Sequence, residues 1–591
     1  MCIFVALRAN RNFKRAARED IDPRAALSLL STPMRKIVSA AEMREIDRFT
    51  TERYATPSLL LMEQAAAAAA HAIATHFDGD LSQKKILILC GRGNNGGDGA
   101  ALARALANAG ARAHVCLDGR VEDTKGDARV NFEIVRSLGG LADSSQPPLY
   151  PLTFVEIDDP AQWEDFKRVR SHDVDVIVDA LFGTGLTRPL EGLPLAVVEY
   201  LNDLRAQSGK QDADSTLIVS LDVPSGLDAD SAKISGAAVR ADVTVTFTAP
   251  KVANVLPPAL AHNGQLLIAD IGSPAQLINE ATSKFFLTEA ADARRFLVQT
   301  RYTPDSYKNT HGHALIIAGS REYTGAAVLC GDAAMRAGTG LVTLATSASA
   351  HRIVSAQAMP EIITAALAET AGGAVSSEAF ERINELTMRA SVVAIGPGLS
   401  SKDEATRHLV RRVVEERQTP IVIDADALNA LAPWPANMRG SKKFPLILTP
   451  HLGEMRRLIG VDNEDALKDR VAIAREFAAA HGVILVLKGS RTLIAAPDGS
   501  VYVNPTGNAG LGTAGAGDTL TGIITGFNAQ AFATLKENAS ALEATIAAVY
   551  VGGLAGDIAA RERGMRTLVA SDLREHFGAA IRSLDVVGEM P

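Results

Sequence analysis

Apolar runs of strand length alternate with helix-length stretches along almost the whole chain, and most runs end at glycine or aspartate. In the first half the runs are "KILILC", "RAHVCL", "DVIVDALF", "TLIVSLDV" and "DVTVTFT", and the pattern closes near "GQLLIADIG". A polar connecting stretch, "SPAQLINEATSKFFLTEAADARRFL", leads into a second series: "HALIIAGS", "TGLVTLAT", "SVVAIGPGL", "TPIVIDADALN", "FPLILTPH" and "VILVLKGS". Such alternation demands parallel sheets covered by helices on both faces. "TLIAAPDGSVYVNP" predicts a hairpin turning at Asp498-Gly499. No short-period repeat is present, which excludes a solenoid. The 591 residues give room for two or three domains, and two different α/β folds in tandem are expected.

A net charge of −8 gives no reason to expect a nucleic-acid or membrane partner. The longest near-apolar stretch, "AAAAAAHAIATHF" at 65–77, is broken by two histidines and reads as a packed helix rather than a membrane span. Cys2, Cys90, Cys116 and Cys330 show neither C-x-x-C spacing nor a dense disulfide pattern, which fits a reducing cytoplasm; Cys90 and Cys116 end apolar strand-like runs and are expected to be buried thiols. The basic start, "MCIFVALRANRNFKRAARED", has too short an apolar stretch for a signal peptide. Residues 1–35 read as an extension, with a targeting segment, a disordered tail and an over-long start as the alternatives; the last is favoured, because "MRKIVSAAEM" from Met34 looks like a natural beginning.

The sequence "KKILILCGRGNNGGDGAALARALANAG", 84–110, runs a strand into a glycine turn and then a helical pattern. "GRGNNG" matches G-x-G-x-x-G formally, and Asp118 ends the next strand at the spacing of a ribose-binding acid. The turn also holds Asn94, Asn95 and Asp98, more polar groups than a pyrophosphate cradle needs. Asp179 and Asp222 end two further apolar runs, and Ser225 follows the turn-forming Pro224. Loops at the carboxyl ends of parallel strands converge. Asn95, Asp179 and Ser225 would then offer only oxygen ligands, which suits a hard monovalent cation. The alternative is that each aspartate merely caps the next helix.

"SAAEMREIDR", "LLMEQAA", "GRGNNGGDGAALARAL", "VDALFGTGL" and "DVPSGLDAD" together resemble the NAD(P)H-hydrate epimerase domain, over residues 36–285. The resemblance implies a Rossmann-like domain that interconverts the R and S hydrates of NADH or NADPH (NADHX and NADPHX), with K+ bound. By motif, Asn94, Asn95, Gly96, Gly97, Asp98, Gly183, Thr184, Gly185, Leu186, Thr187, Arg188 and Pro189 would line the substrate site. Asp222 would touch the substrate, and Asn95, Asp179 and Ser225 would hold potassium. Asp222 is the candidate acid/base, because epimerisation at a hydrated ring carbon needs proton transfer there.

In the second half, "NAGLGTAGAGDTLTGIITGF" places Gly515, Gly517 and Asp518 at the start of a helix. Backbone N–H groups in such a turn form an anion hole, and the acid beside it can deprotonate a hydroxyl being phosphorylated. It is not a Walker loop. "KGSRT" (488–492), "GPGL" (396–399), "DADALN" (424–429) and "LTPHLGEM" (448–455) all follow apolar runs. With "GHALIIAGSREYTGAAVLCGDAAMRAGTGLV" they resemble the NAD(P)H-hydrate dehydratase branch of the ribokinase-like fold, over 295–588. The resemblance implies dehydration of the S hydrate coupled to ADP hydrolysis, with Mg2+ accompanying the nucleotide. Asp518 would be the base and would also contact the hydrate, as would Ala326, Gly398 and His451. Lys488, Gly489, Ser490, Arg491, Thr492 and Gly517 would contact ADP. ADP rather than ATP is expected because the fused layout resembles bacterial repair enzymes, and a homo-oligomer is expected. One departure stands out: Leu452 replaces the proline of "TPHPGE", which frees φ and restores an N–H beside His451. The competing readings are a ribokinase-like kinase for a small alcohol and a non-enzymatic N-terminal scaffold; the first leaves the N-terminal motifs unexplained.

Overall fold

The computed structural model describes residues 34–141, 150–170, 174–207, 216–463 and 467–585. The extension expected over 1–35 therefore lies, up to residue 33, outside the described residues. The chain divides into two compact units, one over Lys36–Ser283 and one from Lys284 onward.

In the first unit, α1 (Ala40–Tyr54) starts at Ser39, whose hydroxyl accepts from Glu42 N at 3.2 Å while Glu42 Oε2 accepts from Ser39 N at 2.9 Å. This reciprocal cap satisfies two otherwise orphaned donors. Pro57 ends the connection and α2 (Ser58–His76) follows. Then come β1 (Lys85–Cys90), α3 (Asn94–Asn108), β2 (Arg112–Asp118), β3 (Gly140–Leu141), β4 (Leu152–Ile157), β5 (Val176–Ala180), β6 (Leu217–Leu221), β7 (Val243–Phe247) and β8 (Gln265–Ala269). All pair in parallel, in the order β3-β4-β2-β1-β5-β6-β7-β8. Ile86–Cys90 and Val176–Ala180 are buried throughout, as a sheet covered on both faces requires. The chain winds outward from β1 through β2, then returns to lay β5 on β1's other side. That reversal opens a crevice at the carboxyl ends of β1 and β5.

The second unit contains β9 (Phe285–Leu287), β10 (His313–Ile317), β11 (Leu341–Ser347), β12 (Ile363–Leu367), β13 (Val392–Ile395), β14 (Ile421–Ile423), β15 (Leu446–Leu448), β16 (Ile484–Leu487), β17 (Leu493–Ala495) and β18 (Val501–Val503). They run in the order β9-β18-β17-β16-β15-β14-β13-β10-β11-β12. β17 and β18 are antiparallel about Asp498-Gly499, as the hairpin signal predicts. The stretch expected to be a polar connection is instead ordered. It forms a helix at Ala275–Glu280, then β9, which pairs in parallel with β18, then a helix at Ala290–Gln299. Three residues are too few for periodicity to reveal β9; Phe285 and Leu287 reach the core while their flanks stay polar.

Helices α4 (Thr324–Arg336), α5 (Leu452–Ile459), α6 (Ala516–Thr534), α7 (Ala541–Arg563) and α8 (Ala570–Leu584) are among those that cover the second unit's sheet. Phe527 of α6 stacks on Phe296 at 5.0 Å between centroids and meets Phe577 of α8 edge-on at 6.1 Å. Among the described residues α7 alone is long and apolar enough to cross a membrane, yet 67% of its apolar window is buried against the rest of the protein. Its apolarity serves the core. Cys90 and Cys116 are buried free thiols, as expected of their places at the ends of apolar runs, and Cys330 is buried and free as well.

Two candidate active sites

At the first site the turn is shorter than the sequence pattern implies. It comprises Gly91–Gly93, and Asn94–Asp98 already belong to α3. The glycines serve close approach rather than unusual dihedrals. A Cβ on Gly96 would fall 1.7 Å from Gly91 O, one on Gly91 would fall 2.1 Å from Leu181 O, and one on Gly99 would fall 2.7 Å from Ala180 Cβ. The positive end of α3 is thereby driven against the ends of β1 and β5.

Asn95 is buried, and neither atom of its amide has a hydrogen-bond partner. A Cβ on Gly183 would sit 3.3 Å from Asn95 Oδ1 and 3.1 Å from Asp222 Oδ2, so these two side chains meet at Gly183. Asp222 follows β6 with φ 64°, a left-handed conformation uncommon outside glycine and characteristic of functional loops. Its Oδ1 accepts from Thr246 Oγ1 at 3.1 Å and from the fully buried Lys251 ammonium. Lys251 also donates to Thr246 Oγ1 at 3.0 Å and Phe247 O at 3.1 Å.

Two further carboxyls belong to this group. Asp47 of α1 is pushed up to about 6, first by burial, with Lys251 opposing and Asp222 adding to the rise. Burial, then Asp222 and Asp47, push Asp98 well above the usual carboxylate range. Asp47 lies inside "SAAEMREIDR", which by itself gives it no role, and no motif in the sequence marks Lys251. The one available signal is a lysine just past the strand "DVTVTFT", where a charge needs a buried partner.

Asp179 is fully buried, and burial raises its pKa. Its carboxylate accepts from Ser220 Oγ at 2.7 Å, Ser225 N at 2.9 Å and Ser225 Oγ at 2.5 Å. Ser225 Oγ in turn accepts from Phe182 N at 2.9 Å. Asp179 and Ser225 are thus in direct contact. An orphaned amide oxygen, a hydroxyl and a buried negative charge fit a monovalent cation. In the Gly183–Pro189 loop, Gly183 and Thr184 are partly buried, while Gly185, Thr187, Arg188 and Pro189 are exposed. Leu186 packs into the apolar cluster with Leu190 and Leu193, so its side chain anchors the loop.

At the second site, GPGL, DADALN, TPHLGEM and KGSRT follow β13, β14, β15 and β16 at one edge of the sheet. Asp518 lies in the first turn of α6, whose N-cap Gly515 has φ 83°. Its pKa rises to about 6, first through burial, then through Asp424, with Lys488 opposing. Asp426 and Glu454 add to the rise. Lys488 Nζ pairs with buried Asp424 at 2.7 Å and reaches Glu454 at 4.0 Å. Burial pulls Lys488 down, but Asp424, Glu454 and Asp518 outweigh it and the net shift is upward. A Cβ on Gly517 would fall 3.2 Å from Lys488 Nζ, which brings the lysine to the glycine turn. Asp424 Oδ2 also accepts from Thr521 Oγ1 at 2.7 Å. Asp424 and Glu454 sit inside sequence motifs that by themselves assign neither a role, and nothing in the sequence singles out Thr521.

The 488–492 loop is held by its own hydrogen bonds and by Arg470. Gly489 and Arg491 have positive φ, Thr492 Oγ1 donates to Gly489 O at 3.0 Å, and Arg470 Nη1 donates to Ser490 O at 2.9 Å. Gly398, at φ 62°, would place a Cβ 2.9 Å from Ala326 Cβ, so these two expected substrate contacts adjoin. His451 caps α5: Nδ1 accepts from Gly453 N at 2.9 Å, and Glu454 Oε2 accepts from His451 N at 2.9 Å. Because Nδ1 accepts, the ring proton of neutral His451 sits on Nε2. The cap engages both the ring and the backbone of His451 although Leu452 stands in place of proline. Among the described residues no group of three or more His, Cys, Asp or Glu is arranged to hold a metal.

Comparison with known proteins matches each half separately. Residues 314–577 match the family described as NAD(P)H-hydrate dehydratase, and 58–253 match the one described as YjeF-related protein N-terminus. The bifunctional NAD(P)H-hydrate repair enzyme Nnr of Moorella thermoacetica is 41% identical, covering 93% of this chain and 97% of its own length. Its counterpart from Thermofilum pendens is 37% identical, with 93% and 97% covered. The ADP/ATP-dependent NAD(P)H-hydrate dehydratase of Bacillus subtilis, co-crystallised with ATP/Mg2+, is 30% identical with TM-score 0.43, covering 51% of this chain and 98% of that one. Identity sustained across both halves shows that the chain belongs to the family of bifunctional NAD(P)H-hydrate repair enzymes.

Proposed function

We propose that the first unit interconverts the R and S hydrates of NADH and NADPH, and that the second returns the S hydrate to the reduced dinucleotide at the expense of ADP. The observation that carries this reading is that each proposed acid–base aspartate has a lysine cation beside it, Lys251 fully buried and Lys488 partly buried. Lys251 backs Asp222, and the Lys488–Asp424 pair faces Asp518.

In the first unit Asp222 takes the proton of the hydroxyl on the hydrated ring carbon as that carbon's bond to the ring nitrogen breaks, giving an aldehyde, and passes the proton to the nitrogen. After the aldehyde rotates, the reverse steps close the ring on its other face, and Lys251 steadies the Asp222 charge. Asn95, Asp179 and Ser225 would hold K+, which supplies positive charge beside the substrate. The orphaned Asn95 amide supports that assignment. In the second unit Asp518 takes the proton of the ring hydroxyl as its oxygen attacks the β-phosphorus of ADP, and AMP leaves. The C–O bond then breaks with phosphate as the leaving group, and the neighbouring ring carbon loses a proton to restore the double bond. A phosphate leaves far more readily than hydroxide, which is why the nucleotide is consumed. Lys488, Gly489, Ser490, Arg491, Thr492 and Gly517 would hold ADP, with Mg2+ entering on its phosphates. Ala326, Gly398 and His451 would hold the hydrate. The acid–base chemistry needs no membrane or nucleic acid, and we place it in the cytoplasm in a homo-oligomer.

The test is recovery of reduced-nicotinamide absorbance from mixed R and S NADHX with K+, Mg2+ and either ADP or ATP. Full recovery with ADP is expected. Consumption of the S form alone removes the epimerase, and no recovery with either nucleotide removes the whole reading.

A further inference from the structure

Asp222 and Asn95 place the reacting ring beyond β5 and β6, on one side of the strand-order reversal. The other side of the crevice lies over β2. A dinucleotide with its ring at Asp222 passes its pyrophosphate by the start of α3 and carries its adenosine toward the end of β2. There the structure presents two side chains that the reaction does not use.

Asp118 is the last residue of β2, and Gly119 follows with φ 118°. A Cβ on Gly119 would fall 2.6 Å from Arg92 Cδ, so the Arg92 side chain lies across this glycine. Arg92 is exposed and belongs to the turn between β1 and α3. Among the described residues neither the Arg92 guanidinium nor the Asp118 carboxylate has a hydrogen bond or an ion pair. They are close enough that Arg92 offsets part of the upward push of burial on Asp118. The next cation, Arg120, is already engaged by Asp158 at 2.6 Å. Two opposite charges without mates, at the ends of adjacent strands, are arranged for a ligand with both a hydroxyl and an anion to offer.

We propose that Arg92 and Asp118 receive the adenosine ribose of the substrate and together set the balance between the hydrates of NADH and NADPH. This rests on the reading of the first unit as acting on a hydrated dinucleotide. Asp118 accepts from a 2′-hydroxyl and repels a 2′-phosphate; Arg92 donates to a 2′-phosphate. With both present, both hydrates are admitted.

The test uses the full chain without ADP or ATP, so that only epimerisation proceeds, and measures kcat/KM for R-NADHX and R-NADPHX. R92A lowers the NADPHX to NADHX ratio about tenfold, and D118N raises it by a similar factor, because one charge-assisted bond or repulsion is at stake in each. A ratio within about twofold of the parent in both variants, or a shift of the same sign in both, overturns the inference. If the unsubstituted chain epimerises neither hydrate, the reading of the first unit fails separately. Equilibrium binding of NADPH and NADH to the same variants then decides. A fall in the relative NADPH affinity of R92A sustains the inference, and an unchanged ratio overturns it.

Discussion

The acid limb of dehydration is the sharpest consequence of the second site. Asp518 acts as a base, so kcat/KM follows its ionised fraction in the free enzyme. With its pKa held at about 6, roughly nine-tenths is ionised at pH 7 and roughly one-tenth at pH 5. The rate therefore falls about tenfold between those values and flattens above pH 7. The causes of the shift set the sign of two variants. Asp424 raises Asp518 and Lys488 lowers it. D424N removes the repelling charge and frees the Lys488 cation, so its limb moves to lower pH. K488M removes the cation, so its limb moves to higher pH. Both break a buried pair, and melting is expected to fall by up to about 3–5 kcal/mol of stability; assays therefore belong well below each variant's melting point. S-NADHX with saturating ADP, followed by absorbance recovery from pH 5 to 8, reads the limb. A flat profile in the parent, or limbs moving opposite to these signs, would refute the assignment of Asp518.

D47N tests the electrostatics of the first site. Asp47 has a folded pKa of about 6, above its unfolded value, so its stabilising contribution is complete below the unfolded pKa and lost as pH rises through about 6. Asparagine mimics the protonated acid, so D47N should exceed the parent by about 1–3 kcal/mol at pH 7–8 and match it near pH 3 in urea unfolding. Thermal shifts should show K+ stabilising the parent more than choline does, and N95A should abolish that difference. L452P should be tolerated and add about 0.4–1 kcal/mol, since position 452 is the first of α5 and His451 already has φ −81° and ψ 171°. Melting and dehydration rate together check it.

The parallel sheets were legible because their strands are apolar runs separated by helix-length segments, and the hairpin because Asp498-Gly499 marks its turn. The polar loops were legible too, since strand ends are where glycine and aspartate cluster. The short strand β9 was not, because three residues carry no period. Nor was the extent of the first turn: glycine in sequence signals unusual dihedrals and crowding alike, and only the 1.7 Å that would separate a Cβ on Gly96 from Gly91 O tells them apart. Asp47 and Lys251 were hidden for a different reason. Each lies far in sequence from Asp222, and a single charged residue on a helix or past a strand is normally solvated.

The near-contact of Gly96 with Gly91 has a consequence for how this scaffold can diversify. Any side chain at either position would occupy space already filled by backbone, so neither locus can drift, and a saturation library there should return glycine alone. Arg92 and Gly93 between them meet no such barrier; a Cβ on Gly93 would have nothing within 4 Å. Of the positions between the two glycines, Arg92 and Gly93 precede α3, and directed evolution of ligand preference in the N-terminal half has most to gain by sampling them.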